Sequence, residues 1–133
     1  MDSYQEKLSI LSELISFARV DYKLKEDEYD FLLSVAQLMN IKKTSLDELL
    51  QQTVEISVPK SQIDRIVQFH RLLLLMNIDN EQHKKEIEKL HNIGLWMGLP
   101  PSAISQVLEV MHQYPNKAVP PDVLFTIFRA HQN

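Results

Sequence analysis

KSQIDRIVQFHRLLLLMNI, residues 60–78, is the stretch on which the fold turns. Ile63, Ile66, Val67 and Phe69 lead into the unbroken run Leu72-Leu73-Leu74-Leu75-Met76. Apolar residues fall on most sides of the helix this predicts, and such a helix belongs in the centre of a bundle. The run is far short of the ~20 apolar residues a bilayer crossing requires.

Working outward, helical spacing continues in both directions. Residues 3–20 place Leu8, Leu11, Ile15 and Ala18 on one face, with Ile10, Leu14 and Phe17 beside them. A second helix over 26–40 buries Tyr29, Leu32, Val35, Ala36 and Met39, and its first turn holds Glu26, Asp27 and Glu28, where the helix dipole favours anions. Thr44 is expected to cap a third helix carrying Leu46, Leu49 and Leu50, with Asp47 completing a capping-box-like pair. Val54–Val58 alternates like a strand, but one short strand has no partner in such a chain, so it reads as an extended linker. Pro59 suits the first turn of the fourth helix.

Downstream, a fifth helix over about 82–97 turns Ile87, Leu90, Ile93, Gly94 and Met97 inward, and Gly98 fits the left-handed position after its end. A sixth is expected over about 101–112 and a seventh from Pro120-Pro121 to about His131. The fold class is therefore all-α, a single bundle of about seven helices spanning residues 1–133.

Composition narrows the function. The chain has 133 residues, enough for one domain with a real core. Two glycines, Gly94 and Gly98, are too few for a P-loop or a dinucleotide-binding fingerprint. With no cysteine there is no disulfide, Cys-zinc site or thiol nucleophile. A net charge of -4 argues against nucleic acid as the partner. The charge is uneven: residues 1–58 hold 11 acidic and 6 basic side chains, residues 59–133 hold 7 and 8. That bias suits cations or a basic partner at the N-terminal half. No signal core or lipidation motif is visible, so a cytoplasmic location is expected. His70, His83, His91, His112 and His131 lack zinc-ligand spacing, and no nucleophile elbow accompanies the serines. Trp96 and Tyr114 read as core filling, and Tyr114-Pro115-Asn116-Lys117 as the exposed loop best suited to recognition.

Slid by 58 residues, the chain aligns with itself. Asp21 falls on Asp79, Glu28 on Glu86, Leu32 on Leu90 and Met39 on Met97. This predicts two three-helix pseudo-repeats, about 3–58 and 59–116, followed by a terminal helix over about 120–131. The two acidic junctions read D21-YKLKED-E28 and D79-NEQHKK-E86. Asp21, Glu28, Asp79 and Glu86 are the candidate metal ligands, since Ca²⁺ or Mg²⁺ is held by several such oxygens, with Glu81 and His83 nearby to assist. The alternative is capping, in which Asp holds turn amides and Glu reaches back to its own helix start.

These junctions carry a resemblance to the TerB-like family, named for a bacterial tellurite-resistance protein, over roughly residues 6–108. The resemblance implies an all-helical domain of this length and a divalent cation at the acidic residues. It also implies a non-enzymatic role in stress-response complexes, with a protein partner, a homodimer among the arrangements. Two other readings are a metal-dependent phosphoesterase using the clustered carboxylates and a metal-free helical adaptor.

Overall fold

The computed structural model describes residues 3–19, 24–78 and 84–132. Among these residues there are seven α-helices and no strand: α1 (Tyr4–Ala18), α2 (Glu26–Leu38), α3 (Lys43–Gln51), α4 (Gln62–Met76), α5 (Lys84–Trp96), α6 (Pro101–Val110) and α7 (Pro121–Ala130). Short 3₁₀ turns at Met111–Gln113 and Pro115–Lys117 join α6 to α7. No described helix is long and apolar enough to cross a membrane. The chain forms two compact units, Met1–Ser57 and Val58–Asn133.

In the first unit the three helices pack pairwise, α1 on α2 and α3, and α2 on α3. Leu11, Leu14, Ile15, Phe17, Leu32, Ala36 and Leu46 are buried there. Ser3 caps α1, its Oγ accepting from Glu6 N at 3.1 Å while Glu6 Oε1 accepts from Ser3 N at 3.4 Å. This reciprocal pair satisfies two amides that the helix start leaves open. The Val54–Val58 segment forms no strand because α1 provides its partners. Ser12 Oγ accepts from Val54 N at 3.1 Å, and Ser9 Oγ accepts from Ser57 N at 2.9 Å. Both serines are buried, so these bonds also meet the need of buried hydroxyls for partners.

In the second unit α4 packs on α5 and α7, and α6 on α5 and α7. Phe69 and Phe128 meet edge-to-face at 5.7 Å between ring centroids. Gly94 allows α5 to lie close to its neighbours: a Cβ there would come 2.6 Å from Ile104 Cδ1 and 3.1 Å from Phe69 Cε1.

Helix boundaries recur at one offset. α1 and α4 are each 15 residues long and begin at Tyr4 and Gln62. Their starts lie 58 residues apart, and so do the ends of α2 and α5, at Leu38 and Trp96. Serine caps both α1 and α4, through Ser3 and Ser61. α2 and α5 end alike. Asn40 (φ 59°) and Gly98 (φ 78°) take the left-handed position. Ile41 N donates to Ala36 O at 2.8 Å and Leu99 N to Gly94 O at 3.0 Å, the 6→1 bond of a Schellman cap. The next apolar residue, Ile41 or Leu99, is buried against it.

Several local expectations are corrected. Thr44 is not a cap: α3 starts at Lys43, after Lys42, two residues earlier than that cap would place it, and Asp47 is engaged elsewhere. Pro59 precedes α4 rather than sitting in its first turn, because Ser61 Oγ accepts from Asp64 N and sets the start at Gln62. α6 stops at Val110 and tightens into a 3₁₀ turn. Ile63 is exposed, and Tyr29 is only half-buried, with its hydroxyl hydrogen-bonded. Trp96 does not fill the core: it is 53% exposed.

Candidate functional site

Of the four carboxylates expected to gather, Asp21 and Asp79 lie outside the described residues, as do Glu81 and His83. Glu28 belongs to the first unit and Glu86 to the second. Glu28 is the third residue of α2 and only 8% exposed. Its Oε1 accepts from Lys25 N at 2.9 Å. A buried carboxylate on a helix-start amide gains from both the charge-assisted bond and the dipole. This is the capping arrangement that the sequence offered as the alternative to a metal. Glu86 lies in α5 and is half-buried. Among the described residues, no group of three or more His, Cys, Asp or Glu side chains is placed to hold a metal ion.

One residue beyond Glu28, a polar cluster joins α2 to α3. Tyr29 Oη donates to Asp47 Oδ1 at 2.7 Å, Lys43 Nζ donates to Asp47 Oδ2 at 2.9 Å, and Lys43 Nζ lies 5.6 Å from the Tyr29 ring centroid. The Tyr29 hydroxyl and the Lys43 ammonium, each donating to Asp47, hold its carboxyl below the usual value. The same contact raises the Tyr29 phenol, and burial adds to that. Lys43 is raised by Asp47 first and Tyr29 second. All three groups are held in their ordinary neutral-pH protonation states. The cluster therefore acts as a clasp between helices and offers no base or nucleophile near neutral pH. Sequence reading missed it because Asp47 also suited a local cap.

The Tyr114–Lys117 loop is shaped from α4. His70 Nε2–H donates to Val119 O at 2.7 Å, and buried Asn77 Nδ2 donates to Lys117 O at 3.3 Å. Asn116 and Lys117 both take φ 56°. Left-handed backbone is strained at Lys117, and the flanking bonds hold it there. His70 is hydrogen-bonded and half-buried.

Exposed apolar side chains form the remaining feature. Leu38 is 85% exposed at the last turn of α2, and Trp96 is exposed at the last turn of α5. They are 58 residues apart, each two positions before the left-handed residue that ends its helix. Leu95 is exposed beside Trp96. Comparison of the chain with protein-family models, curated proteins and solved structures returned no match.

Proposed function

We propose that the chain is a non-enzymatic, TerB-like interaction module, built from two repeated three-helix halves and a terminal helix, that holds a protein partner in a cytoplasmic stress response. The repeat is supported by the common 58-residue offset of α1 with α4 and α2 with α5, and by the matched Schellman ends. The observation that carries partner binding is the pair Leu38 and Trp96, large apolar side chains left in water at the same place in each half. Tryptophan is among the residues that most often carry the energy of a protein interface. The Glu28–Lys25 amide bond favours the metal-free form of this module, with Glu28 serving the start of α2.

The test is photo-crosslinking from positions 38 and 96 in cells that express the protein. One shared partner at both positions is expected. Trp96→Ser should abolish its capture while leaving the unfolding midpoint within about 2 °C, because surface changes rarely exceed about 0.5 kcal/mol. No crosslinked partner at either position overturns the reading.

A further inference from the structure

Ile63 is the most exposed large apolar side chain described in the second unit, at 64%. It stands in the first turn of α4, three residues before buried Ile66. Both line a cleft of about 450 Å³ between α4 and α7, together with Gln62, Phe125, Arg129 and Gln132. All six residues belong to the Val58–Asn133 unit, so the cleft is a feature of that unit by itself.

Its polar lining is one-sided. Arg129 brings a guanidinium, Gln62 and Gln132 bring amides, and no carboxylate lines it. Among the described residues, neither the Arg129 guanidinium nor the half-buried Gln62 amide has a hydrogen-bond or ion-pair partner. A cation beside an apolar floor is matched by an anion that carries an apolar group. α4 begins at this cleft, and a helix start favours an anion. α7 ends there, and Arg129 in its last turn offsets the negative end of that helix. The glutamines narrow the choice further. Each amide both donates and accepts, as a peptide backbone does, whereas a plain acyl chain would leave both without a partner.

We propose that the α4/α7 cleft takes the C-terminal end of a partner protein whose last residue is apolar. The terminal carboxylate meets Arg129, the last side chain lies on Ile63, Ile66 and Phe125, and Gln62 and Gln132 bond the backbone before it. The proposal rests on the partner-binding reading above for the source of that segment. Charge complementarity selects a chain terminus over an internal acidic stretch. A terminal residue carries its anion and its apolar side chain on one Cα, which suits a cleft with a single cation. In an internal stretch the two groups sit on different residues, and an internal backbone brings no charge of its own.

The test uses the full chain, isotope-labelled, and the peptide acetyl-Gly-Ser-Ala-Leu in two forms, free acid and C-terminal amide. The acid should bind saturably, with amide shifts centred on residues 62–66 and 125–132. It should bind about tenfold tighter than the amide form, the advantage of a charge-assisted over a neutral hydrogen bond. Arg129→Gln should erase that ratio with the unfolding midpoint unchanged, since Arg129 is exposed. Ile63→Ser should weaken both forms alike. Absence of saturable binding overturns the proposal, as do shifts centred on other residues or equal binding of acid and amide. Octanoate that binds as tightly as the acid peptide, with Gln62→Ala affecting neither, makes a free acyl anion the ligand and overturns it too. So does sedimentation of the protein with phosphatidylglycerol vesicles, but not phosphatidylcholine ones, that is lost in Arg129→Gln, because a lipid surface is then the occupant. Crosslinks from positions 38 and 96 without peptide binding would remove only the cleft. Peptide binding without those crosslinks would keep the cleft and remove only the Leu38/Trp96 surface.

Discussion

Gly94→Ala is the sharpest test of the packing in the second unit. The added methyl would lie 2.6 Å from Ile104 Cδ1, 3.1 Å from Ile104 Cγ1 and 3.1 Å from Phe69 Cε1. Carbon atoms pack comfortably at about 3.5–4.0 Å, so the overlap with Ile104 is close to 1 Å. Two effects oppose each other. Alanine in a helix interior is favoured over glycine by about 1 kcal/mol. Overpacking a core costs about 1–3 kcal/mol. The upper part of that range applies, because Ile104 and Phe69 are both fully buried and Phe69 is braced edge-on by Phe128. The net expectation is a loss of about 1–2 kcal/mol, read as a lower urea midpoint with unchanged slope. Ile104→Val removes Cδ1, the nearest atom. In Gly94→Ala/Ile104→Val the two effects should therefore fail to add, with a favourable coupling of about 0.5 kcal/mol or more. A Gly94→Ala protein as stable as the parent, or strict additivity in the double variant, would refute the reasoning.

Four further outcomes follow from particular residues. Glu28→Ala should lower stability by about 1.5–3 kcal/mol, the usual range for a bond to a charged group. Millimolar Ca²⁺ or Mg²⁺ added to chelator-treated protein should leave the melting midpoint unchanged, whereas a rise that vanishes in Glu86→Gln would overturn the capping reading in favour of a cation site. Asp47 has a lowered folded-state value, so its contribution is complete above the ordinary 3.8 and is lost as pH falls through the lowered value. Asp47→Asn should accordingly show a shallower loss of melting temperature below pH 4 than the parent, and parallel curves would exclude the clasp. Lys117→Gly should raise stability by about 1 kcal/mol in urea unfolding, because glycine takes the φ 56° backbone without the left-handed penalty.

Where periodicity was long, the chain was readable. Helix existence followed from i, i+3, i+4 spacing, and Gly98 announced the end of α5 because its position demands positive φ. Helix starts were less legible. Thr44 and Pro59 are each suited to a helix start, yet Lys42 and Ser61 take those places. Asp47 illustrates why: the same carboxylate can cap locally or meet Tyr29 from another helix, and only packing chooses between them. Trp96 was misplaced for the same reason, since an aromatic residue at helical spacing does not reveal whether a neighbouring helix covers it.

The candidate site divides along the same line. The linear chain determined that it is cysteine-free, that its first half is acidic, and that two Asp/Glu junctions share one spacing, because these are counts and intervals. Tertiary structure decided what the side chains do. It gave Glu28 a backbone amide, joined Tyr29, Lys43 and Asp47, left Leu38 and Trp96 in water, and seated α7 against α4 and α6. Spacing along a chain is set by covalent bonds, whereas partnership in space is set by which surfaces lose their water. That second outcome depends on every packed neighbour at once.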